Sequence, residues 1–193
     1  SHGVGKTTLC FEVAAALKRR NADLEMVREI ARRCPLPINQ ETTVAAQEWI
    51  LHTQIAWELE ADAEHDVVLC DRSVLDNYCY LEFGLGRRDA LFELVRYWAG
   101  TYDLILHVPV RDGFLQDDGT RSTDIAFQKA IDDTLGLDLR SVSSEGQVAV
   151  HEAVLTGLPL QNELVTLLDA PQLAGDVGGG GVQGQEPVGI ELH

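Results

Sequence analysis

Residues 1–8 read Ser1-His2-Gly3-Val4-Gly5-Lys6-Thr7-Thr8, and an amphipathic pattern begins immediately after them. This is the closing part of the phosphate-loop pattern GxxxxGK[ST], which stands between a strand and a helix. Glycines let the backbone wrap around phosphates with successive N–H groups pointing inward, and the helix that follows contributes the positive end of its dipole. In this reading Gly3, Val4, Gly5, Lys6, Thr7 and Thr8 line a nucleotide's phosphates. Lys6 neutralises the β- and γ-phosphates, and the Thr7 hydroxyl holds Mg²⁺. The first glycine of the pattern would stand one residue ahead of Ser1, and no strand precedes the loop. The expectation is therefore a chain truncated at its N-terminus, in a sheet that lacks its middle strand.

Working outward, Leu9, Val13, Ala16 and Leu17 repeat at helical spacing, and Lys18, Arg19 and Arg20 fall at the helix end where cations suit the dipole. Leu24–Val27 can be a strand, and the helical start at Glu29–Arg33 meets Pro35 and Pro37, which break it. Thr42 or Thr43 can cap a long helix with Val44, Leu51, Ile55 and Leu59 on one face and an acidic end. Val67–Cys70 is a compact apolar run ending in Asp71-Arg72-Ser73, as a buried parallel strand would be. Helical stretches are predicted over Leu75–Phe83 and Arg88–Trp98, then a strand over Leu104–Val108. A polar loop, Pro109–Arg121, precedes a helix carrying Phe127, Ile131 and Leu135 on one face; a strand over Leu137–Val142 and a helix over Gln147–Leu155 complete the pattern. Strands alternating with helices predict an α/β domain, a parallel sheet covered on both faces. The domain is expected to span 1–157, with 158–193 a flexible glycine-rich tail.

Composition bounds the function. With 193 residues, one α/β domain is the natural size. The net charge of −16 argues against nucleic-acid backbones and anionic lipid surfaces as partners, and it speaks to solubility and association, not to chemistry. No apolar run approaches the roughly 20 residues that span a bilayer. Cys10, Cys34, Cys70 and Cys79 form no CxxC pair, and His52, His65, His107 and His151 show no metal-ligand spacing. A reducing cytoplasm is the expected compartment.

Beyond the loop, three places can carry chemistry. Asp71, at the end of a buried strand, stands where a phosphate-loop protein places its second Mg²⁺ contact, and Arg72 beside it can clamp a phosphate or a substrate. Glu29 follows the neighbouring strand and can accept a hydroxyl proton. Arg111 and Arg121 flank a polar strand-to-helix loop and could meet the charge on a transferred phosphoryl group.

Together GVGKTT, VREIAR, the strand ending in DRS and LILHVPVRDGFLQDDGTR resemble the P-loop kinases. They are most similar to the group that holds the nicotinamide riboside kinase domain of the bacterial NAD-biosynthesis regulator and its "AAA family ATPase" relatives. Deoxynucleoside kinases share the carboxylate after the second strand and the acid-Arg-Ser triplet. The resemblance covers Ser1 to about Leu155 and implies a sheet ordered 2-3-1-4-5, a phosphoryl donor (ATP or GTP) and Mg²⁺. It also implies catalytic roles for Lys6, Glu29, Asp71, Arg72, Arg111 and Arg121, metal contacts for Thr7 and Asp71, and an adenine cradle at Ser143-Ser144-Glu145-Gly146. The function it implies is phosphoryl transfer to a small-molecule hydroxyl or phosphate. The alternative is a nucleotide-dependent regulatory ATPase with no small acceptor.

Overall fold

A computed structural model describes residues 5–38, 41–108, 129–136, 149–152 and 188–192. The first helix, α1 (Lys6–Arg19), starts directly after Gly5, whose φ of 93° lies in the left-handed region open to glycine. Its Leu9, Cys10, Val13 and Leu17 are buried, four positions on one helical stripe. Strand β1 (Leu24–Val27) leads to a short 3₁₀ turn, Ile30–Arg33, which ends just ahead of Pro35 and Pro37.

Thr43 caps α2 (Val44–Asp62), its hydroxyl accepting from the Ala46 amide at 3.2 Å. Strand β2 (Val67–Cys70) follows, and Ser73 caps α3 (Val74–Leu85) by accepting from the Asp76 amide at 3.1 Å. Gly86, at φ 80°, stops α3. Then come α4 (Asp89–Ala99), β3 (Leu104–His107), a helical segment at 129–136, β4 (Ala149–Glu152) and β5 (Val188–Leu192).

The five strands form one parallel sheet in the order β1-β2-β5-β3-β4. Apolar clusters cover it: one joins α3, α4 and the 129–136 helix over Ile105, and a second joins α1 to Leu24, Leu69, Leu104 and Leu106. A third packs Ile50 and Ala61 of α2 against Val27, Val68 and Cys70. No described helix is long and apolar enough to cross a membrane, and none of the four cysteines is in a disulfide.

Two sequence expectations change here. Residues 149–152, expected within a helix over Gln147–Leu155, are a strand paired with β3 from Leu104↔Ala149 to His107↔Glu152. Over four residues, ladder bonds to an existing strand outweigh a weak helical pattern. Within the expected tail, Val188–Leu192 is the middle strand of the sheet, paired with β2 on one side and β3 on the other. Without it the facing backbone groups of β2 and β3 would lack partners, which gives a five-residue segment an energetic value that its glycine-rich surroundings conceal. The expected strand at Leu137–Val142 and residues 158–187 lie outside the described residues.

Candidate functional site

The register of β1 on β2 builds the site. Val27 lies beside Cys70, so Arg28-Glu29 and Asp71-Arg72 leave the sheet together at the same edge. The Asp71 amide continues the ladder to the Val27 carbonyl at 2.9 Å. The start of α1 comes to the same place, and a cleft of about 1250 Å³ opens between them, toward β1 and α2. Gly5, Lys6, Thr7, Thr8, Glu29, Asp71 and Arg72 all line it. Gly3, Val4, Arg111, Arg121 and the Ser143–Gly146 segment lie outside the described residues.

Thr7 and Asp71 meet across 64 positions of sequence: the Thr7 hydroxyl donates to Asp71 Oδ2 at 2.7 Å. The hydroxyl and carboxylate thus stand together as hard oxygen donors, the kind of ligand that Mg²⁺ takes. Burial pushes the Asp71 carboxyl up, while the Thr7 hydroxyl, Lys6 and Arg72 pull it back.

Lys6 is buried, and that burial lowers its ammonium to about 8; Asp76 opposes the change and Arg72 adds to it. A phosphate beside Lys6 would restore the charged form. Nucleotide affinity is therefore expected to be flat below pH about 7 and to fall by up to about tenfold per pH unit above pH about 8. Titration calorimetry with Mg-ATP from pH 6 to 9.5 measures this, and an affinity that does not change would contradict the assignment of Lys6.

Arg72 is the hub. Its guanidinium pairs with Glu29 at 2.9 Å and with Asp76, one helical turn further on, and lies over the Tyr80 ring at 5.4 Å. Burial alone would lower the Arg72 pKa, but Asp76 and Glu29 hold it well above its ordinary value. Burial alone would likewise push the Asp76 carboxyl up, yet Arg72 holds it well below the usual carboxylate range. Glu29 also accepts from Arg32 Nε at 2.7 Å. Two guanidiniums thus hold its carboxylate, which orients a donor more readily than it abstracts a proton.

Sequence reasoning named Arg72 and Glu29 but missed Asp76, although the Arg72-to-Asp76 spacing of four residues across a Ser73 cap is a readable signal. It also missed Glu58. That buried carboxyl accepts from Gln54 Nε2 at 2.6 Å and from the Tyr102 hydroxyl at 3.1 Å, with Trp98 Nε1 also donating to it. Gln54 in turn donates to the Arg72 carbonyl at 2.9 Å, tying this cluster to the end of β2.

Burial pushes the Glu58 carboxyl up to about 7 against the hydrogen bonds from Trp98, Gln54, Tyr102 and Cys70. Between its ordinary value of 4.5 and about 7, the folded chain keeps a proton that the unfolded chain has released. Stability therefore falls as pH rises through that window, by about 3 kcal/mol from this group. Urea denaturation should show Glu58→Gln gaining on the wild type from pH 5 to 7.5; a constant difference would refute the raised value.

The AAA domain family matches residues 1–145. The chain belongs to that family. No curated protein is similar enough to match it. The family assignment supports a P-loop nucleotide-binding domain, and AAA domains of this kind bind ATP with Mg²⁺. The match ends ahead of β4 and β5, so the sheet of this AAA domain includes two strands beyond the matched residues.

Proposed function

We propose that this AAA domain transfers the γ-phosphoryl group of ATP to a hydroxyl or phosphate of a small molecule, such as a nucleoside, a nucleotide or a nicotinamide riboside-like acceptor. The observation that carries the reading is Glu29: a carboxylate fixed by Arg72 and Arg32 in the same cleft as Lys6, Thr7 and Asp71. A nucleotide switch requires the phosphate loop and the metal contacts alone. A second, pre-arranged polar site beside them is what an acceptor requires. At about 1250 Å³ the cleft exceeds a typical single-ligand pocket of roughly 300–1,000 Å³, leaving room for donor and acceptor together.

In this mechanism the γ-phosphate lies against Lys6 and the N-terminus of α1, whose charges meet the negative charge of the transferring group. Thr7 and Asp71 would hold Mg²⁺, which neutralises charge on the β- and γ-phosphate oxygens when bound. Glu29 accepts a hydrogen bond from the acceptor hydroxyl and aims its oxygen at the γ-phosphorus. The new O–P bond forms as the bond from phosphorus to the bridging oxygen of ADP breaks, and the acceptor's proton passes toward Glu29. A loose transition state asks little of a base, so a carboxylate that mainly positions the hydroxyl is adequate.

ATP consumption across nucleosides, nucleoside monophosphates and nicotinamide riboside tests the reading, with GTP as a second donor. The wild type is expected to show turnover raised by one acceptor class. Lys6→Ala is expected to lose that turnover and the Mg-ATP thermal shift, with nucleotide affinity down by about 100-fold or more from lost charge-assisted phosphate contacts. Acceptor-independent hydrolysis stimulated by a partner protein would instead make the domain a regulatory ATPase.

A further inference from the structure

Glu58 is the buried acid of α2; Glu48, Glu60 and Asp62 on the same helix are exposed. Neither Glu58 nor its partner Gln54 lines the cleft, so neither touches what binds there. Their hydrogen bonds lead to it all the same. The Gln54 amide nitrogen carries two protons, and it donates to Glu58 Oε1 at 2.6 Å and to the Arg72 carbonyl at 2.9 Å. The Tyr102 hydroxyl donates to Glu58 Oε2 at 3.1 Å and accepts from the Val74 amide at 3.4 Å. The two arms thus reach the main chain on either side of Ser73, the cap of α3.

We propose that Glu58 is a positioning residue for the Mg-nucleotide site: through Gln54 and Tyr102 its carboxyl holds the turn from Arg72 to Val74, and so sets Asp71 and the Arg72 guanidinium in the cleft. The proposal rests on the metal role of Asp71, which phosphoryl transfer and a regulatory ATPase share. Strand β2 ends at Cys70, and the last ladder bond runs from the Asp71 amide to the Val27 carbonyl. The Arg72 carbonyl has therefore left the sheet, and the Gln54 amide is its hydrogen-bond partner among the described residues. The side chains of Asp71 and Arg72 both line the cleft, so the turn that carries them must be held from behind.

The orientation of Gln54 is imposed. The residue is fully buried, and its Oε1 has no hydrogen-bond partner among the described residues. Turned over, the amide would set that oxygen against two acceptors, the Glu58 carboxyl and the Arg72 carbonyl. An unpaired buried acceptor is the lesser cost, and Glu58 is the group that decides it. A carboxyl suits this place because it has an oxygen for each donor: Oε1 for Gln54, and Oε2 for the Trp98 indole, which can only donate. In Glu58→Gln one of those oxygens becomes an NH₂ group. Trp98 cannot answer by turning, whereas the Gln54 amide can. Its Oε1 then accepts from the new NH₂ group, and the Arg72 carbonyl loses its donor.

Calorimetry of ATP binding with and without Mg²⁺, near neutral pH, tests this. The wild type is expected to gain affinity from Mg²⁺. In Glu58→Gln that gain should shrink by about tenfold, as when a group behind a metal ligand is lost, with the affinity for metal-free ATP changed by less than about threefold. The melting temperature should stay within about 4 °C of the wild type, because the variant keeps the side-chain volume and removes a buried charge. Gln54→Met changes no charge and should lose the same part of the gain, and the double variant should lose no more than either alone. A purely structural role gives the reverse, a lower melting temperature with the Mg²⁺ gain intact. That result, an additive double variant, or a wild type whose ATP affinity ignores Mg²⁺ overturns the proposal. None of these measurements needs an acceptor, so phosphoryl transfer stands or falls separately, by turnover.

Discussion

Ile190→Pro is expected to lower the melting temperature by about 10 °C or more, the shift that a loss of about 3 kcal/mol or more produces in a domain of this size. Ile190 is in the middle of β5, beside Leu69 of β2 and Leu104 of β3. Proline there removes a ladder N–H from a strand bonded on both sides, and its ring disturbs the approach of the neighbouring strand. The damage extends to the site, because β2 carries Asp71 and Arg72 at its end and is held on one side by β5. The Mg-ATP thermal shift should therefore fall along with the melting temperature. Asp89→Pro is the control: it opens α4, and a first helical position accepts proline. Scanning calorimetry of both variants decides the matter. A melting temperature for Ile190→Pro equal to that of the control would mean that β5 is not the centre of the sheet.

Arg72→Met is expected to destabilise the fold by about 3–5 kcal/mol at neutral pH, the usual effect of removing one partner from a buried ion pair. Asp76 is fully buried and Arg72 is 5% exposed, so water does not replace the charge that the carboxylate loses. The sign of the pH dependence distinguishes this from a simple packing defect. In the wild type Asp76 titrates well below 3.8, so its contribution is present above that value and is lost only as pH falls through its depressed folded value. In Arg72→Met the same carboxyl loses the strongest charge that holds its value down, so its folded value rises and less stability is gained as pH rises. The gap between the two proteins should be widest near pH 7 and should narrow toward pH 4. Asp76→Asn added to Arg72→Met should recover part of the loss at pH 7. A gap independent of pH, with no recovery, would mean that the pair is not the source of the stability.

These two results bear on the site in different ways. Glu29 keeps its orientation from Arg72, so Arg72→Met should also raise the KM of whichever acceptor reacts, with Arg32 left as the carboxylate's partner. Ile190→Pro leaves each of those side chains in place chemically and weakens the frame that brings them together. Comparing KM with melting temperature across the two variants separates positioning from folding.

Some of this protein was determined by its sequence alone, because the relevant chemistry is local. A glycine-rich turn ahead of a lysine, a threonine and an amphipathic run specifies a phosphate loop on a helix within eight residues. The apolar run Val67–Cys70 specifies a buried strand, and its end places Asp71 at the carboxyl edge of the sheet. Thr43 and Ser73 start their helices by bonds that reach three residues. Tertiary structure decided the rest. Whether Val188–Leu192 is tail or central strand depends on which backbone edges are left to satisfy, and those belong to strands more than eighty residues earlier. Arg72 could equally have been a phosphate clamp; the β1–β2 register made it the partner of Glu29, and burial made Asp76 indispensable to it. Glu58 looks like an ordinary surface charge in the sequence. Only the packing of separate elements removed it from water, since solvation and long-range contact are properties of the folded chain and not of any short stretch of it.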